Sequence, residues 1–102
     1  MVAIIDSKRE QMAIACAAHH VARMFVFGSA LRDDFEPGRS DVDLLVEFEP
    51  LDPFALTDAY FDLLDELRAI LGTPVDLVMS DAVKNRYVRA EIDRTKQVLY
   101  AA

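Results

Sequence analysis

At 102 residues the chain can support one packed core and is too short for two, so a single domain spanning residues 1–102 is expected. With 53% hydrophobic and 28% charged residues, and few glycines and prolines, its balance excludes a disordered or low-complexity segment. The net charge of −7 argues against direct binding to nucleic-acid backbones, which needs clustered Lys and Arg, but leaves open phosphate binding through carboxylate-held cations.

Cys16 is the sole cysteine, so no internal disulfide can form, and a reducing cytoplasm is the simplest setting. Met1 to Ile5 runs straight into Asp6, Ser7 and Lys8, too short for a signal peptide, and no apolar run approaches a membrane span. Neither a membrane nor a nucleic acid is expected as a partner.

Ser7 and Glu10 have the spacing of a capping box, which predicts a first helix from there to about His19. Met12, Ala13, Cys16 and Ala17 would form its buried stripe. His19 and His20 fall at its end, where a positive charge suits the helix dipole. Adjacent histidines diverge on a helix, so they are not expected to share a metal. Val21–Phe27 is a short run of β-branched and aromatic residues closed by Gly28, and reads as a buried strand. The stretch from Asp33 to Ser40 holds Pro37 and Gly38 among charges and reads as a loop.

Val42, Leu44, Val46 and Phe48 then alternate with Asp41, Asp43, Leu45, Glu47 and Glu49, predicting a second strand with carboxylates on one face and Pro50 at its end. Asp52 before Pro53 predicts a capped helix start, and Gly72 its stop. Between them Leu56, Tyr60, Leu63, Leu64, Leu67 and Leu71 keep helical spacing, with Asp58, Asp62, Asp65 and Arg68 largely outside that stripe. Tyr60 and Phe61 are expected in the core, with an interface as the other setting that suits aromatics. Val75–Met79 reads as a third strand. Ser80 or Asp81 would cap a last helix to about Thr95, and Val98–Tyr100 would add a short strand or docked tail. The order α-β-β-α-β-α predicts an α+β, mixed α/β domain: a small mixed sheet flanked by helices.

Residues two apart on a strand share a face, so Asp41 and Asp43 would project side by side. Such a pair suits Mg²⁺, which takes hard oxygen ligands and keeps waters or substrate phosphates in its shell. If strand three neighbours strand two, Asp76 could complete a carboxylate cluster or accept a proton from an attacking hydroxyl. Gly28-Ser29, after a strand and before a helical turn at Ala30 to Arg32, would let backbone amides and a hydroxyl approach a phosphate. Arg32 could neutralise that phosphate or pair with the acidic loop.

Together Gly28-Ser29-Ala30-Leu31-Arg32, Ser40-Asp41-Val42-Asp43-Leu44-Leu45-Val46 and Val75-Asp76-Leu77-Val78 resemble the motifs of the minimal nucleotidyltransferases of the DNA polymerase β superfamily. The resemblance spans nearly the whole chain, with Leu31 and Asp33 standing where a small residue and a glycine are common. It implies the nucleotidyltransferase fold. It also implies Asp41, Asp43 and Asp76 as catalytic and metal-holding carboxylates, and a triphosphate site at Gly28, Ser29, Arg32 and Ser40. ATP is the implied substrate, with two Mg²⁺ ions. The chemistry implied is in-line transfer of a nucleoside monophosphate with pyrophosphate leaving.

Stand-alone members of this size resemble the antitoxin half of a pair whose other half is a HEPN-domain ribonuclease toxin. The resemblance therefore implies transfer of AMP to a toxin hydroxyl, a tyrosine, against the alternative of an antitoxin that masks its partner by contact alone. Transfer to a small molecule would need an acceptor domain that 102 residues do not accommodate. The acidic residues Asp58, Asp62, Asp65 and Glu66 offer a partner face for a basic ribonuclease, or a solvated helix surface. Arg86, Arg89 and Arg94 could reach phosphate or pair with nearby acids. No aromatic clamp for a base stands out.

Overall fold

The computed structural model of the protein describes residues 3–32, 34–36 and 38–102, apart from the side chain of Ser29. The chain order is α1 (Ala3–Ala18), β1 (Val21–Phe27), a 3₁₀ turn (Gly28–Leu31), β2 (Val42–Phe48), α2 (Pro53–Leu71), β3 (Val75–Met79), a second 3₁₀ turn (Ser80–Ala82), α3 (Arg86–Thr95) and β4 (Gln97–Ala101). This is the expected α+β order, with the terminal segment added to the sheet. The strands lie in the order β3-β2-β1-β4; β1 is antiparallel to β2 and β4, and β2 is parallel to β3. Asp33 and Pro37 of the expected loop lie outside the described residues. The rest of it turns through Gly38 and Arg39, with Ser40 N–H donating to the Glu36 carbonyl at 2.8 Å.

The alternation along the strands sorts the side chains onto two faces. Met24, Val26, Val42, Leu44, Val46, Val75 and Leu77 turn to one side, where Ile5, Met12, Ala15 and Cys16 of α1 and Leu63, Leu64, Leu67 and Leu71 of α2 bury them. Phe25 and Leu45 turn to the other, where Ile92 of the short α3 covers only part of the sheet. The uncovered part of that second face is where the carboxylates emerge. Burying a large aliphatic side chain is worth about 1.5–3 kcal/mol, so the two-helix face carries most of the packing stability and the half-covered face is left for chemistry.

Helix ends follow local chemistry, with two corrections. Asp52 accepts from the Phe54 and Ala55 amides at 3.0 Å each, Pro53 begins α2, and Gly72 closes it in the left-handed region at φ 64°. Such a cap is worth about 1 kcal/mol. The first helix, however, begins at Ala3 and not at Ser7, whose hydroxyl donates to the Ile4 carbonyl from within the first turns. The fully buried Ile5 draws that first turn into the core, and the buried stripe is Ile5, Met12, Ala15 and Cys16, with Ala17 exposed. Likewise neither Ser80 nor Asp81 caps α3. Those residues form a separate 3₁₀ turn, and Asn85 Oδ1 accepts from the Tyr87 and Val88 amides at 2.9 and 3.1 Å.

Tyr60 packs on the core and its hydroxyl donates to the Leu77 carbonyl at 2.6 Å, tying α2 to β3. Its neighbour Phe61 was expected inside but stands 57% exposed. The 100° step between successive helix positions sends the two rings to different sides. Cys16 is buried against the Met24 sulfur at 3.7 Å, and desolvation pushes its thiol up to about 12. It is therefore protonated and inert at neutral pH. No helix among the described residues is long and apolar enough to cross a membrane.

Candidate active site

Three pieces of local structure meet at one end of the sheet. β1 delivers Gly28 just beyond Phe27, whose register partner on β2 is Asp43. β2 delivers Asp43, preceded by Asp41 at the same parity. β3 delivers Asp76, which is the parallel register partner of Asp43. Partners on adjacent strands sit about 4.8 Å apart with side chains on the same face, so Asp43 and Asp76 emerge side by side on the half-covered face. The adjacency of strands two and three on which the sequence reading of Asp76 depended is thus present.

Gly28 adopts φ 67°, a left-handed conformation that a side chain resists. It also lies directly against Asp43: a Cβ at residue 28 would collide with Asp43 Oδ2 and stand 3.1 Å from its Cγ. Turn and carboxylate are therefore built as one unit, with Gly28 leading into the 3₁₀ turn at the strand end, where the first amides of a helical turn have no partner within the turn itself. Gly28→Ala is expected to weaken Mg²⁺–ATP binding at least about tenfold, since about 1–3 kcal/mol of backbone strain comes on top of a displaced Asp43 carboxylate. Titration calorimetry alongside circular dichroism would check this; a folded variant with unchanged affinity would separate the turn from nucleotide binding.

The other expected site residues fall around this centre. Arg32 is exposed just past the 3₁₀ turn. The Ser29 backbone lies in the turn, and its side chain is outside the described set. The Ser40 hydroxyl accepts from the Glu36 amide at 3.0 Å, and its carbonyl accepts from Thr73 Oγ1 at 3.1 Å. Thr73 Oγ1 also accepts from the Gly38 amide at 3.0 Å. Ser40 thereby braces the loop ahead of Asp41 against the entry to β3, which sets where the Asp41 backbone enters the site.

Asp41, Asp43 and Asp76 offer only hard oxygen donors, the set that suits a divalent cation such as Mg²⁺. Among the described residues no group of three or more His, Cys, Asp or Glu side chains is placed to hold a metal ion by itself. A cation here would keep part of its shell for water and substrate oxygens, which is how Mg²⁺ binds in phosphoryl-transfer sites. The two histidines lie elsewhere: His19 Nε2 is 3.0 Å from Glu66 Oε1, and the His20 carbonyl accepts from the Glu49 amide at 2.8 Å, past the end of β2 opposite Asp43.

A hollow of about 580 Å³ opens beside the turn, between Phe27, Gly28, Leu31 and Arg32 on one side and Tyr87, Val88, Glu91, Ile92 and Thr95 of α3 on the other. Its size and mainly apolar lining suit a small organic ligand. The α3 wall was missed in the sequence, where Arg86, Arg89 and Arg94 drew attention instead. Arg94 holds Glu91 at 2.6 Å, and hydrogen bonding with charge attraction keeps the Glu91 carboxyl below its usual range. Arg89 binds the Ser80 carbonyl and hydroxyl and lies 3.5 Å from Asp93. The available signal was the row Tyr87, Glu91, Thr95 with Val88 and Ile92, spaced i, i+4, i+8 as one helix face. A second hollow of about 510 Å³ lies at the far end of the sheet, lined by residues including Arg23, Glu47, Met79 and Arg89. There Arg23 and Glu47 pair with each other at 2.6 Å.

Comparison with known proteins agrees with this geometry. Residues 8–99 match the nucleotidyltransferase domain family. Over 90 residues, 88% of each chain, the sequence is 34% identical to a Methanocaldococcus jannaschii protein provisionally named a protein adenylyltransferase. A solved structure described provisionally as a minimal nucleotidyltransferase is 31% identical, covers 91% of this chain and 90% of its own, and superposes with a TM-score of 0.75. At 18% identity and TM-score 0.63, the same fold recurs in a Shewanella oneidensis complex of a tri-AMPylated HEPN toxin with its MNT antitoxin, with 95% of this chain and 72% of that one covered. The Gly28 turn, the paired carboxylates and the matched span together place the chain in the nucleotidyltransferase domain family, as a minimal nucleotidyltransferase.

Proposed function

We propose that the chain is a Mg²⁺-dependent adenylyltransferase that moves AMP from ATP onto a tyrosine hydroxyl of a HEPN-domain ribonuclease, and so acts as its antitoxin in the cytoplasm. The observation that carries this reading is the convergence of the Gly28 turn on Asp43, with Asp76 in register beside it. Such a site serves a triphosphate and an attacking hydroxyl together. Gly28 and Ser29 would grip the triphosphate from the strand end, with Arg32 and Ser40 beside them. Asp41, Asp43 and Asp76 would hold two Mg²⁺ ions, which when bound offset triphosphate and leaving-group charge.

The chain's own part in the transfer is positioning and proton handling. Asp76 accepts the proton of the tyrosine hydroxyl as its oxygen bonds to the α-phosphorus. The bond from that phosphorus to the oxygen bridging to the β-phosphate breaks, and pyrophosphate leaves with the electron pair.

A partner face is also at hand. Asp58, Asp62 and Asp65 are exposed on α2, and Phe54 and Phe61, seven residues apart on the same helix, are 86% and 57% exposed among them, while Glu66 turns toward His19. Aromatics ringed by acids suit a basic protein surface. The test is intact mass: a HEPN-domain partner incubated with the protein, Mg²⁺ and ATP is expected to gain AMP and lose ribonuclease activity together. Neutralisation with no change in mass would favour masking by contact alone.

A further inference from the structure

The geometry points to Tyr87 as the residue that holds the nucleobase, by stacking on its ring. This rests on the reading of the Gly28 turn as the triphosphate grip. Tyr87 is 74% exposed, although α3 buries its Ile92 against the sheet, and the ring lines the hollow that opens directly from Gly28 and Arg32. A triphosphate anchored at the turn would therefore direct its nucleoside toward α3, where the exposed apolar surface is Tyr87 with the half-exposed Val88. Arg86 places its guanidinium over the Tyr87 ring, 5.3 Å from the centroid. Arg86 Nη2 also lies 3.5 Å from the Tyr87 hydroxyl, so a cation holds the ring from one side while most of the residue's surface stays accessible to a flat ligand.

The same wall is poor at reading the edges of a base. Glu91, which faces the hollow, is engaged by Arg94 through contacts of 2.6 and 2.8 Å, and Thr95 Oγ1 donates to the Glu91 carbonyl at 2.9 Å. With Glu91 engaged by Arg94 inside α3, what that wall offers a base is the π face, where stacking is tolerant of base identity. On the α3 side the base is therefore held by its ring more than by its hydrogen-bonding pattern.

The test compares ATP with inorganic tripolyphosphate, both with Mg²⁺, by calorimetry on the full chain. Tyr87→Ala is expected to weaken ATP roughly five- to a hundredfold, the range for loss of one base–aromatic stack, and to leave tripolyphosphate affinity unchanged. Tyr87→Phe keeps the ring and is expected to bind ATP within about twofold of wild type. ATP affinity unchanged in Tyr87→Ala would overturn the assignment. So would equal losses for ATP and tripolyphosphate, which would mark a structural role. If the wild type binds neither ligand, the triphosphate reading itself fails and this inference falls with it, an outcome distinct from failure of the stack alone.

Discussion

Asp43→Asn is expected to abolish Mg²⁺-dependent ATP binding and AMP transfer while leaving the fold intact. The substitution removes a negative charge and one hard oxygen while nearly preserving shape, so the β2 backbone register with β1 and β3 has no reason to change. Asp43 is the residue on which the site converges: Gly28 packs against its carboxylate and Asp76 is its register partner. Removing a single preorganised electrostatic donor in other enzymes costs about 10²–10³ in rate. Loss of a ligand shared by turn, cation and triphosphate is expected to exceed that, with transfer falling by at least about 10³-fold. The Asp41→Asn/Asp43→Asn double variant should bind no Mg²⁺–ATP in calorimetry. Wild-type affinity in that double variant, with a native thermal transition, would end the metal assignment.

Asp76→Asn separates chemistry from binding. Asp76 lies on β3, one strand further from the Gly28 turn than Asp43. It is accordingly assigned to the acceptor hydroxyl more than to the triphosphate. A positioned general base contributes about 10²–10⁴ in rate, and a loss of that size in AMP transfer is expected. Much of the nucleotide affinity and all of the partner affinity should remain, since the α2 face of Asp58, Asp62 and Asp65 is untouched. Transfer is read as partner mass gained per unit time. An Asp76→Asn protein that neutralises its partner as well as the wild type, with neither adding mass, would replace the enzymatic reading with masking by contact.

These substitutions act on residues whose types were legible before their positions were. Local chemistry in the sequence was sufficient for the strand spans Val21–Phe27 and Val75–Met79, for the Asp52 cap and Gly72 stop of α2, and for the alternation that gives β2 a carboxylate face. Each of these depends on neighbours a few residues apart: a period of two, a capping oxygen, a proline or a glycine. The Gly28-Ser29, Asp41-Val42-Asp43 and Val75-Asp76 motifs were equally visible, because phosphate and cation chemistry restricts which residue types can serve.

Tertiary structure decided what long-range contact controls. The start of α1 moved to Ala3 because Ile5 finds a place in the core, which no local signal outweighs. Asn85 became the α3 cap because Ser80–Ala82 turn separately beyond β3, where Arg89 takes up the Ser80 oxygens. Above all, Asp43 and Asp76 are thirty-three positions apart in the chain, and only the parallel pairing of β2 with β3 makes them neighbours. The same is true of Tyr87 and Gly28, whose shared hollow exists because α3 packs Ile92 over the second face of the sheet. Residue chemistry is a local property of the chain, whereas a site is a set of distances, and those are set by which faces must be buried together.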